Sequence, residues 1–318
     1  MGCMRIQPVT LLGVGISAAL LAACGDGSPV AREGPSVVAG FYPYAYVAER
    51  VAGDRASVAN LTSTGGEPHD LELGPQQVAE VSEADVVIHQ AGFQPSLDEA
   101  VELMEDGAAL DVTDVVELQD TGAPADSHAD EEGHEPEEHE ADEDLSGDPH
   151  AWQDPTKLAG LGRAVADALA ETDPDRADDY HANAEALSRD LADLDTEFRR
   201  GLADCERSTF VTSHAAFGYL AQRYDLEMIA ISGLSPDAEP SLARMRELQD
   251  LAEDEGITTV FSETLADPRL SETLADEVGV TTEVLDPIEG LTDETAEEDY
   301  FSLMRSNLQK LREANGCR

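Results

Sequence analysis

Three histidines stand where a chain can bring metal ligands together. His69 lies in Gly65-Gly66-Glu67-Pro68-His69-Asp70, a loop directly after a short apolar run. His150 lies in Asp148-Pro149-His150-Ala151-Trp152, just ahead of a helical stretch, and His214 follows the run from Ser208 to Ser213 and opens a helix. Any one of them alone would be read as a capping or packing histidine. Three in equivalent loops, drawn from both halves of the chain, predict a metal site. Asp286, at the end of the last apolar run, offers a fourth, oxygen donor. Three neutral nitrogens and one carboxylate suit four-coordinate Zn²⁺, whereas a hard cation such as Ca²⁺ or Mn²⁺ calls for more oxygen ligands. Of the other histidines, His89 ends an apolar run. His181 sits among Asp178, Asp179 and Tyr180 on a polar helix face and reads as solvated.

The elements that must position these residues alternate. Apolar runs over 36–41, 56–61 and 84–89 read as strands, with helices over about 43–51, 75–82 and 96–104 between and after them. The alternation resumes with strands over 208–213, 226–231, 257–262 and 281–285, and helices over 215–223, 240–255, 268–278 and 295–314. Strands alternating with helices imply parallel pairing through right-handed crossovers, and sites in such sheets form outside the carboxyl ends of the strands. Two helices fill the middle. The second, over about 174–203, carries Leu187, Leu191, Leu194, Phe198 and Leu202 on one face. The predicted architecture is therefore α/β: an N-terminal lobe over 36–154, linking helices over 155–205 and a C-terminal lobe over 206–318, joined by a long rigid helix.

The 318 residues hold 68 Asp and Glu against 19 Lys and Arg, a net charge of −49. Such a balance argues against nucleic acid or an anionic membrane surface as an electrostatic partner. Residues 1–23 read as a secretory signal: Arg5, an apolar run from Val9 to Leu21 too short to span a bilayer comfortably, then small residues. The tetrapeptide Leu21-Ala22-Ala23-Cys24 resembles the bacterial lipoprotein signal, which implies lipidation at Cys24, a tether over 24–35 and an extracytoplasmic, lipid-anchored location. Cys3 leaves with the signal and Cys24 is acylated. Cys205 and Cys317 remain as two thiols in an oxidising compartment, where pairing is the default. Residues 120–144 contain 12 acids, three histidines (His128, His134, His139) and no Lys or Arg. The stretch over 121–144 reads as a disordered insertion able to hold Zn²⁺ weakly.

Four motifs, in order, resemble the zinc- and manganese-binding lipoproteins of bacterial ABC importers, and most closely their zinc branch. They are GGEPHD with LELGP over 65–75, GDPHAWQDP over 147–155, SHAAFGYLAQRYDL over 213–226 and VLDPIEGL over 284–291. The resemblance covers nearly all of 36–318. It implies two lobes, each with a mostly parallel four-stranded sheet, bridged by a long helix. It also implies metal in the cleft on His69, His150, His214 and Asp286, and delivery of Zn²⁺ by a monomer to a membrane ABC permease. Manganese members carry Glu where His214 stands. Some zinc members place an acid immediately before the first histidine; here Pro68 fills that position and Glu67 lies one further back, so Glu67 or a water is an alternative fourth ligand. Glu263, in FSETLADP, matches a family motif as a supporting residue. Two other readings stay open: a manganese-binding or adhesion-type member, and a secreted zinc hydrolase using Asp286 or Glu67 as base. No HExxH or GxSxG motif supports the hydrolase.

Overall fold

The computed structural model describes residues 34–119, 147–238 and 240–318. The first sheet contains β1 (Ser36–Ala39), β2 (Ser57–Asn60), β3 (Val86–His89) and β4 (Ala108–Asp111), in spatial order β2-β1-β3-β4. The second contains β5 (Thr209–Thr212), β6 (Glu227–Ala230), β7 (Thr259–Ser262) and β8 (Thr281–Val284), in order β6-β5-β7-β8. All six ladders are parallel. The central strands β1, β3, β5 and β7 are buried along their whole length, as parallel strands covered by helices on both faces must be.

Helices α1 (Tyr42–Ala52), α2 (Pro75–Ser82) and α3 (Pro95–Glu102) dress the first sheet. The second is dressed by α6 (Gly218–Arg223), α7 (Leu242–Asp254), α8 (Arg269–Val278) and α9 (Tyr300–Asn315). Between them run α4 (Pro155–Thr172) and α5 (Ala177–Gly201). Asp154 caps α4 by accepting from the Thr156 N–H, with Pro155 in the first turn where its missing N–H costs nothing. The long helix is shorter than its apolar stripe suggested. Pro174–Arg176 form a separate 3₁₀ turn, so α5 has 25 residues and a length of about 37 Å. Its buried stripe of Tyr180, Ala184, Leu187, Leu191, Leu194 and Phe198 faces α1 and α4 on one side and α9 on the other.

A single apolar cluster runs from β1 and α1 through α4 and α5 to α6 and α9, and includes Trp152, Tyr46 and Tyr300. Smaller clusters lie on the outer side of each lobe. The two lobes thus share one core, which fixes their spacing across the cleft. A disulfide between Cys205 and Cys317, 112 residues apart, clips the chain end after α9 to the segment following α5. Strand β4 had no expected counterpart: Ala108–Asp111 contain a single large apolar residue, Leu110, too little to mark a strand by pattern.

Candidate metal centre

His69 lies on the loop between β2 and α2, and that loop is tied down piece by piece. The Gly65 N–H donates to the Leu291 carbonyl of the other lobe at 2.7 Å, and Gln94 Nε2 donates to the Pro68 carbonyl at 3.1 Å. Gly65 has φ +75°, which glycine adopts freely. The His69 N–H donates to Glu67 Oε1, and its ring meets the edge of Phe93. Among the described residues, no side chain holds its Nδ1.

The other two imidazoles are gripped. His150 is fully buried, and its Nδ1 and backbone N–H lie 2.8 and 2.9 Å from Asp148 Oδ1. His214, equally buried, has Nδ1 against Glu263 Oε2, while its backbone N–H and the Ser213 hydroxyl both donate to Glu263 Oε1. Glu263 follows β7 and His214 follows β5, the neighbouring strands at which the chain order of the second sheet reverses. A carboxylate at Nδ1 fixes the tautomer with the proton there and aims the Nε2 lone pair outward.

All three Nε2 atoms converge, and the fourth group is Glu289. Its Oε1 lies 3.5 Å from His69 Nε2, 3.4 Å from His150 Nε2 and 3.4 Å from His214 Nε2, and the last two nitrogens are 3.3 Å apart. Four donors at about 2.0–2.1 Å from a tetrahedral zinc stand about 3.3–3.4 Å from one another. His69 Nε2 and Glu289 Oε1 are buried without a hydrogen-bond partner, an arrangement native interiors avoid unless something else satisfies the atoms. The donor set and its spacing therefore form a cage for a four-coordinate cation.

Asp286 is not in that cage. Its side chain turns back to accept the Ile288 N–H at 2.8 Å, and its backbone is locked to the Asn307 side chain by two hydrogen bonds. The Pro287 carbonyl is held by Trp152 Nε1 and Gln153 Nε2 from across the lobe boundary. The bend these bonds impose sets Ile288 at φ +61°. For a β-branched residue that conformation costs about 1–3 kcal/mol. It carries Glu289 into the cleft. The structure thus favours another acid of VLDPIEGL over the expected Asp286: the residue that ends the strand forms the turn, and the acid three residues later, Glu289, joins the cage. Glu67 is not among the converging groups either, since its Oε1 serves the His69 backbone.

Charge fits this arrangement. Burial alone would raise the Glu289 carboxyl, yet the three imidazoles around it hold it well below the usual carboxylate range. Burial would lower His214 and His150, but the carboxylates behind and before them raise both: Glu263 and Glu289 for His214, Asp148 and Glu289 for His150. His69, lacking such a brace, is lowered by burial. Glu67 is pushed up to about 7, first by burial and then by the Glu289 charge.

The remaining candidates divide simply. His89 pairs with Asp98, and His181 stands half exposed on α5, near Asp167 of α4. Cys24, His128, His134 and His139 lie outside the described residues. No helix among the described residues is long and apolar enough to cross a membrane.

Two α/β lobes on a shared helical core, closing a buried three-histidine, one-carboxylate cage between them, define a two-lobed protein with a candidate metal centre in its cleft. The chain belongs to the ZnuA family, "Zinc-uptake complex component A periplasmic", whose sequence profile matches residues 37–314. It is 35% identical over 320 residues to the zinc-binding lipoprotein AdcA of Streptococcus pneumoniae, covering 97% of this chain and 61% of that protein. It thus spans about three fifths of the length of that relative. It is 31% identical to the high-affinity zinc uptake system protein ZnuA of Bacillus subtilis, with 93% of each chain covered. The crystal structure of the Zn(II)-bound ZnuA-like domain of S. pneumoniae AdcA superposes with a TM-score of 0.72 at 33% identity, covering 89% of this chain and 99% of that one.

Proposed function

We propose that this protein captures Zn²⁺ outside the cytoplasm and hands it to a membrane ABC permease, with His69, His150, His214 and Glu289 as the ligands. One observation carries the reading: four donors from both lobes meet at the edge lengths of a tetrahedral zinc site, two of them buried with no other partner. Three imidazoles favour a borderline-soft ion over Mn²⁺, which prefers more oxygen ligands and a larger coordination number. Four protein donors also complete the tetrahedron. A catalytic zinc keeps one position open for water, so the cage argues for transport rather than hydrolysis.

The ion is cargo, and Cys24 is the proposed point of lipid anchorage that keeps a monomeric carrier near its permease. The names of the relatives in S. pneumoniae and B. subtilis support zinc as cargo and uptake as the process. His128, His134 and His139 are proposed to hold a second, weaker zinc.

Competition calorimetry of the mature chain with Zn²⁺ and Mn²⁺ tests the reading. One tight zinc per chain, undisturbed by excess Mn²⁺, is expected. Tighter manganese binding, or no tight site, would refute it.

A further inference from the structure

Asp148, which holds His150, is itself held from the opposite lobe. The Tyr219 hydroxyl, buried in the first turn of α6, donates to the Asp148 carbonyl at 2.8 Å and accepts the Gln119 N–H at 2.8 Å. Gln119 and Asp148 pair as an isolated antiparallel bridge, with the Asp148 N–H on the Gln119 carbonyl at 2.9 Å. One hydroxyl thus clasps both ends of the insertion. Beside it, Gly218 lets the Asp148 carboxylate approach closely: a Cβ on Gly218 would stand 2.6 Å from Asp148 Oδ2. The other carboxylate oxygen, Oδ1, is the one that takes the His150 Nδ1 and backbone N–H.

We propose that Tyr219 is a positioning residue for the metal, acting through Asp148 to aim His150 Nε2 into the cage. The inference rests on the zinc reading of that cage. The two hydrogen bonds of the Tyr219 hydroxyl go to Gln119 and Asp148, not to a cage residue. That hydroxyl sets the backbone of Asp148, the Asp148 carboxylate sets the tautomer and tilt of His150, and the lobe carrying α6 thereby controls a ligand carried next to the first lobe.

The test is a double-mutant cycle on the full mature chain, comparing Tyr219→Phe, Asp148→Asn and the pair. Each is read by zinc competition against a chelator and by the visible absorption of Co²⁺ in the site. Phe keeps the ring beneath Lys157 Nζ, which lies 5.2 Å from its centroid, and removes only the hydroxyl. Asp148→Asn should weaken zinc by the roughly 10–100-fold usual for a group behind a metal ligand. Tyr219→Phe should weaken it several-fold and shift the Co²⁺ spectrum in the same sense. The double variant should lose less than the product of the two single losses, because both changes reach His150 through the same residue, Asp148. Affinity within twofold of the parent for Tyr219→Phe, or losses that multiply in the double variant, would overturn the proposal.

If Tyr219→Phe does not fold, Gly218→Ala asks the same question by pressing on the Asp148 carboxylate. It should weaken zinc and shift the Co²⁺ spectrum, and unchanged binding would count against the coupling. His150→Ala separates the two levels: tight zinc retained there would refute the cage itself, whereas tight zinc lost there with Tyr219→Phe unchanged would refute only the Tyr219 link.

Discussion

His150 and His214 differ from His69 in what stands behind them. Each of the first two has a buried carboxylate at Nδ1, Asp148 or Glu263, that fixes its tautomer and tilt before any ion arrives. His69 is placed by its backbone and by the edge of Phe93, and its ring is free of any such clamp among the described residues. The two braced rings and Glu289 therefore form a preorganised three-donor face, and His69 completes the cage from a loop. Preorganisation puts the energetic weight of the site on the braced side, and it also makes that side the one where protons compete with the ion. The contrast can be broken at several points.

Removing a braced ligand should do the most. His214→Ala or His150→Ala should abolish tight zinc binding and also destabilise the metal-free protein by about 3–5 kcal/mol, because a buried carboxylate loses its partner. His69→Ala should weaken zinc severely but leave the melting temperature of the metal-free protein close to the parent's. Equal melting losses for all three would erase the distinction.

Protons give the next largest effect. His150 and His214 are raised by the carboxylates around them, despite their burial, and His69 is lowered by burial, so zinc competes with protons chiefly at the two braced rings. Zinc affinity should therefore fall as pH falls, by up to about tenfold per pH unit for each proton displaced. Calorimetry in buffers of different ionisation enthalpy should register proton release at pH 7. Glu263→Gln should reduce that release, and an affinity flat between pH 5 and 8 would contradict the braced-histidine account.

The turn that delivers Glu289 offers a finer test. Asparagine at position 286 keeps an acceptor for the Ile288 N–H, and alanine does not. Asp286→Asn should bind zinc nearly as the parent does, while Asp286→Ala should lose about 1–3 kcal/mol of stability and part of its affinity. Tight binding lost in both variants would restore Asp286 as a ligand. The smallest effect is expected from deleting residues 124–144, which should leave one tight zinc per chain and remove only the weak one.

Much of this architecture was legible in the residues. Apolar runs such as 36–41 and 84–89, separated by helical stretches, announce parallel strands, and the three histidines sit in loops that such an alternation brings together. What escaped depends on conformation that pattern does not encode. Glu289 reaches the cage only because Asp286 accepts from Ile288 and forces a β-branched residue to positive φ, a state no propensity favours. Asp286 looked better placed because it follows the strand directly. The sequence signal that could have redirected the choice was present in VLDPIEGL itself, since Asp-Pro starts turns and the acid beyond such a turn can be re-aimed. β4 escaped because Ala108 and Ala109 carry little apolar weight, and its place is set by pairing with β3.

The central claim is that Glu289, not Asp286, closes a tetrahedral zinc site with His69, His150 and His214. Diffraction from crystals of the zinc-loaded protein, recorded on both sides of the zinc absorption edge, tests it most directly. The account predicts one strong anomalous peak in the cleft, about 2.0–2.1 Å from three Nε2 atoms and one Glu289 oxygen. A peak coordinated by Asp286 or Glu67, or one lacking any of the three imidazoles, would contradict it.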